Sequence, residues 1–87
     1  MNLLFLKDKI CSLLIDSSLH DEADAIDYAV KKIVDPKEED KNYFIDDIAS
    51  RCNIKWLGDY YIKNIDYNSW VSLLGKLKKE VLKYKKS

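Results

Sequence analysis

The stretch "DDIASRCNIKWLGDYYIK", Asp46–Lys63, reads as two short amphipathic helices joined by a tight turn. That pattern is shared by a DNA-reading helix-turn-helix and by any small bundle in which two helices meet. A helix-turn-helix needs a small residue in its first helix, a turn residue that tolerates positive φ, and polar side chains on the second helix to reach base edges. Ala49 and Asn53 meet the first two needs. The second helix offers Lys55 and Lys63, but Gly58 weakens it, Asp59 falls mid-helix, and few of its side chains suit base recognition. Charge argues the same way. Residues 1–66 carry 9 basic and 14 acidic side chains, net −5, which repels phosphate, whereas residues 67–87 carry 6 basic and 1 acidic, net +5. The basic surface therefore belongs to a different element. The favoured reading of 46–63 is two neighbouring helices of a bundle, and a DNA-binding regulator is the alternative.

Outward from that stretch, helical periodicity covers most of the chain. Leu3, Leu6, Ile10, Leu13 and Leu14 form one stripe and predict a first helix over about 2–16. Ser18 is a candidate N-cap for a second, with acids in its first turn and Leu19, Ala23, Ile26, Val30, Ile33 and Val34 on one face. Asp35-Pro36 ends that helix and can begin the third, Asp35 capping and Glu38 reaching back, with Phe44, Ile45, Ile48, Ala49 and Cys52 inward. Asn53 is a candidate left-handed cap. Residues 54–65 are ambiguous, since Trp56, Tyr60 and Tyr61 favour strands while the spacing allows a short helix. From Asn68 a last helix puts Trp70, Leu73, Leu74, Leu77, Val81 and Tyr84 inward, with Lys76, Lys79, Lys83 and Lys86 on the opposite face. The expected fold is all-α: one domain over residues 1–87, an antiparallel four-helix bundle, with a short extra helix near Trp56 allowed.

Composition agrees with a single small domain. The 87 residues are 47% hydrophobic and 34% charged, with two glycines and one proline, which disfavours disorder and loop-rich β folds. Cys11 and Cys52 stand apart among apolar neighbours and read as buried, reduced thiols. The opening "MNLLFLKDKICSLLID" lacks a basic leader and is interrupted by Lys7, Asp8 and Lys9, so it reads as a helix and not a signal peptide. No run is long and apolar enough for a membrane span, and a cytoplasmic protein is expected.

Little in the chain suggests catalysis. His20 is the one histidine and falls in an acidic first turn, where it reads as a solvated residue. No glycine loop for phosphate, no metal-spaced cluster and no obvious acid–base carboxylate pair is present, so neither a cofactor nor a metal is expected. The informative feature is charge segregation. Residues 16–47 hold eleven acids against Lys31, Lys32, Lys37 and Lys41, net −7. By helical spacing Asp21, Asp24 and Tyr28 share an outward face of the second helix, and Glu39, Tyr43, Asp46 and Asp47 share one on the third. Acids steer a basic partner while tyrosines anchor it. The plainer reading is a solvated charged face with tyrosines at the edge of the core. The stripe of Lys76, Lys79 and Lys83 is a solvated face, a contact for anionic phosphate or lipid, or a partner for the acidic helices. Any membrane contact there would be electrostatic and salt-sensitive.

The run "YIKNIDYNSWVSLLGKLKKEV" in a small helical chain resembles the immunity proteins that protect bacteria from bacteriocins. "KICSLLIDSSLHDEADAIDYAVKKIV" is similar to the opening of the class IIa bacteriocin immunity family, and the colicin D immunity type is another small helical relative in style. The resemblance implies an antiparallel four-helix bundle that acts by binding the toxin or the receptor it attacks, with no catalytic residues to carry over.

Overall fold

In a computed structural model of the chain, residues 2–85 are described. Lys86, the last member of the predicted lysine stripe, lies outside them. Among the described residues there are four α-helices and no strand: α1 (Leu3–Asp16), α2 (His20–Val34), α3 (Lys41–Arg51) and α4 (Tyr67–Leu82), with a single 3-10 turn, Leu57–Asp59, between α3 and α4. Among the described residues, no helix is long and apolar enough to cross a membrane.

The helices form an antiparallel four-helix bundle in which α1 packs on α2 and α4, and α3 packs on the same two. Side-chain pairings fix the direction of each neighbour. Lys7 meets Asp27 while Cys11 meets Ala23, so α1 and α2 run oppositely. Tyr28 meets Phe44 while Glu22 meets Arg51, which makes α2 and α3 antiparallel in turn. The core follows the apolar stripes: Leu6, Ile10 and Leu14 of α1, Ile26, Val30 and Ile33 of α2, Ile45 and Ile48 of α3, and Trp70, Leu74, Leu77 and Val81 of α4 are buried. Of the other expected core residues, Leu13, Leu19, Phe44 and Ala49 are half-buried, while Val34, the last residue of α2, and Tyr84, beyond the end of α4, are exposed.

The connections depart most from expectation. Ser18 does not cap α2; its φ is 64°, the left-handed region, and it closes α1 instead. The Ser18 amide donates to Ile15 O at 2.9 Å and the Leu19 amide to Leu14 O at 2.8 Å, the paired bonds of a Schellman motif. Half-buried Leu19 packs on the core beside Leu14, the apolar contact that accompanies this cap. Nor does α3 begin at Asp35-Pro36. Asp35 Oδ1 accepts from the Lys37 amide two residues on, which turns the chain without starting a helix, and α3 begins at Lys41. The Lys41 ammonium explains the delay. It donates to Ile33 O at 2.6 Å and to Asp35 O, binding the last carbonyls of α2 while only 9% exposed. A cation at a helix C-terminus also meets the negative end of the helix dipole.

Asn53 is not left-handed. Its carbonyl accepts from the Trp56 and Gly58 amides in an open turn, and the positive φ of this region belongs to Asn64, at 69°. Residues 54–65 form no α-helix beyond the three-residue 3-10 turn, so the second helix of a helix-turn-helix is not formed there. Asp66 then caps α4 by accepting from the Ser69 amide at 3.0 Å.

Candidate functional site

Tyr28 and Tyr43, expected on the outer faces of two different helices, are brought together by a residue between them. Phe44 lies edge-on to both rings, 5.8 Å from Tyr28 at 72° and 5.1 Å from Tyr43 at 88°. Edge-to-face geometry sets the positive rim of one ring against the negative face of another. Both tyrosines nevertheless remain open to solvent, Tyr28 at 57% and Tyr43 at 68% exposure. Lys32 places its ammonium 5.5 Å from the Tyr28 ring centre. The outcome is an aromatic ridge across the α2–α3 seam.

The acids around it fall into two groups. Asp21 and Asp24 are exposed on α2. Asp46 is exposed on α3, 3.5 Å from the ammonium of Lys85, an exposed pair that holds neither side chain firmly. Asp47 differs, because its Oδ2 accepts from Arg51 Nε at 3.0 Å. Glu39 is exposed but precedes α3, so it does not share the helical face with Tyr43 that its spacing predicts. The net surface is acidic with an aromatic centre, supplied by five residues of the expected set, Asp21, Asp24, Tyr28, Tyr43 and Asp46, plus Phe44.

Arg51 marks a second construction that the sequence did not announce. Its Nη1 donates to Glu22 Oε1 at 2.6 Å, and its guanidinium carbon lies 4.9 Å from the centre of the Trp56 ring. Glu22 also accepts from Trp56 Nε1 at 3.0 Å and from the Tyr60 hydroxyl at 3.4 Å. Burial opposes the Arg51 charge, but the carboxylates of Asp47 and Glu22 outweigh it and hold its pKa above the ordinary value. The segment between α3 and α4 is thereby pinned to α2. Two further bonds complete the attachment: the Lys63 amide donates to Ser17 Oγ at 2.9 Å and Trp70 Nε1 donates to Leu57 O at 2.9 Å.

On the far side of the bundle Lys76 and Lys79 are exposed on α4, and Lys9 of α1 borders the same groove as Lys76. Lys83 is paired with Glu80 at 2.8 Å. Positive charge is thus concentrated on α4, which packs chiefly on α1 and α3. The thiols are buried and unpaired by any disulfide; burial pushes Cys11 up to about 11 and Cys52 up to about 12. Among the described residues, no group of three or more His, Cys, Asp or Glu is placed to hold a metal ion, and His20 is exposed at the start of α2.

No family model, curated protein or solved structure matches this chain.

Proposed function

We propose that the protein is a non-enzymatic binding module that neutralises a partner protein by occlusion, docking the α2–α3 face on a basic site of that partner. The observation that carries this reading is the ridge of Tyr28, Phe44 and Tyr43, exposed at its two ends and flanked by Asp21, Asp24 and Asp46. Exposed tyrosines give large, rigid contact area at low entropic cost, and surrounding acids accelerate encounter with a cationic surface. A basic site covered in this way loses access to its anionic substrate, RNA or DNA in the simplest case. The sequence resemblance to bacteriocin immunity proteins supports the same class, with a toxin or its receptor as the partner and the cytoplasm as the place of action.

The test is capture of partners from nuclease-treated lysate of the native host with the tagged chain, beside a Tyr28→Ala/Tyr43→Ala variant and an Asp24→Lys/Asp46→Lys variant. The expected result is one near-stoichiometric basic protein that the tyrosine variant loses and the charge variant binds more slowly. Equal capture by all three chains would reject the α2–α3 face.

A further inference from the structure

Residues 60–70 enclose a second feature, unconnected to the lysine stripe. Tyr60, Tyr61 and Tyr67 surround a pocket of about 220 Å³ whose floor is formed by buried Ile62 and Trp70, with Asp66 at its rim. This is an unusual use of surface. Tyr61 is 83% exposed and Tyr67 56%, although neither packs into the core. Three phenol rings, each of which carries negative charge on its π faces, are in the lining, and the one charged group there is a carboxylate.

The pocket is held open by bonds already described. The Tyr60 hydroxyl is tied to Glu22 of α2 and the Trp70 indole of α4 to Leu57 O, while the Lys63 amide anchors the chain between them to Ser17, the residue that caps α1. Asp66 is oriented as well: Ser69 donates to it through its hydroxyl at 2.7 Å and its amide at 3.0 Å. Those bonds hold the Asp66 carboxyl below the ordinary value of 3.8, so it is ionised at neutral pH.

We infer that this slot receives an arginine side chain of the partner, its guanidinium lying against the tyrosine rings with Asp66 at the mouth. A guanidinium is planar, weakly hydrated and suited to stacking on aromatic faces, whereas an ammonium is compact and strongly hydrated. The same segment already holds one such contact, Arg51 against Trp56. The slot adjoins the acidic first turn of α2 through the Tyr60–Glu22 bond, at the Arg51 end of α3, so an arginine seated there is a second contact point for a basic partner that docks on the same two helices. The inference rests on the proposed binding role for the identity of the partner, but the slot's selectivity stands on its own geometry.

The experiment titrates the ¹⁵N-labelled full chain with N-acetyl-arginine amide, and in parallel with the citrulline, lysine and leucine amides. The arginine probe is expected to move the Trp70 indole signal and the amides of 60–67, with the neutral citrulline isostere bound about fivefold more weakly. Tyr61→Ala and Tyr67→Ala, both at exposed positions, should each weaken the arginine probe by about the same factor, while Tyr61→Phe, which keeps the ring, should not. Equal binding of the citrulline or leucine probe would overturn the inference, as would arginine shifts confined to Asp21 and Asp24. A silent slot together with tyrosine-dependent capture of a partner on Tyr28 and Tyr43 would reject this inference alone.

Discussion

Glu22 and Arg51 are separated by 29 residues, yet Arg51 Nη1 donates to Glu22 Oε1 at 2.6 Å, and the two side chains are only 15% and 19% exposed. Around that pair the Trp56 indole, the Tyr60 hydroxyl and the Asp47 carboxylate converge. One carboxylate on the first turn of α2 thereby ties down the outer side of an irregular segment whose inner side, Leu57 and Ile62, is buried in the core.

Replacing Glu22 should loosen that segment before it unfolds the bundle. Glu22→Ala leaves Arg51 with Asp47 alone and removes the acceptor for Trp56 and Tyr60, a loss of about 1–3 kcal/mol. Hydrogen exchange should accelerate over 54–62 more than over α1 and α4, and a urea melt should give the stability change. Exchange unchanged in that segment would mean that Leu57 and Ile62 alone hold it.

Lys41 is the buried cation that ends α2. Lys41→Met keeps the aliphatic stem and removes the ammonium, so the carbonyls of Ile33 and Asp35 lose a charged donor. The expected cost is about 1–3 kcal/mol in denaturant unfolding. An exposed lysine such as Lys37, changed to Met, should shift stability by no more than about 0.5 kcal/mol.

Ser18 occupies a conformation that glycine adopts freely. Ser18→Gly relieves the left-handed strain in the Schellman cap, and a gain of up to about 1 kcal/mol is expected, offset in part by the greater entropy of the unfolded chain. Ser18→Val, branched at Cβ, should lose at least about 1 kcal/mol. Thermal melts of the two variants, displaced in opposite directions, check both.

Acid should destabilise the fold through Asp27. Its carboxylate bonds Lys31 and Lys7 at 2.8 Å each, which lowers its pKa below the ordinary 3.8. A carboxyl lowered on folding lets the unfolded chain take up its proton first. Its contribution is therefore present above about pH 4 and is lost as pH falls through the folded value. Asp66, which is exposed, and Glu80, which is half-buried beside Lys83, are lowered in the same sense. Lys7, raised chiefly by its bond to Asp27, adds nothing to the acid limb, since it is charged in both states there. Urea midpoints between pH 6 and pH 2 should fall, and Asp27→Asn should flatten the fall at a cost of about 0.5–1 kcal/mol at neutral pH.

The stripes of α1, α2 and α4 were legible because apolar spacing and burial obey the same period, and that was enough for the all-α bundle. The caps were less so. Ser18 before an acidic turn satisfies the N-cap rule, but the backbone used it to finish α1, and composition does not distinguish the two ends of a three-residue connection. Lys41 offered a neglected signal: with Ile45, Ile48 and Cys52 it completes an i, i+4, i+7, i+11 stripe, which places a lysine on a buried face. Tyr28 and Tyr43 are exposed, as their helical spacing predicts, but their meeting through Phe44 depends on how α2 and α3 align. The Glu22–Arg51 pair and the pocket beneath Tyr61 join residues across separate elements, and no local pattern encodes such contacts.

A docking face on α2 and α3 leaves a hydrogen-exchange footprint when the chain is bound to the partner it captures. Protection is expected over 24–28 and 43–47, with α4 around Lys76 and Lys79 unchanged. Protection confined to α1 and α4, with the Tyr28–Phe44–Tyr43 ridge exchanging as in the free chain, would contradict it.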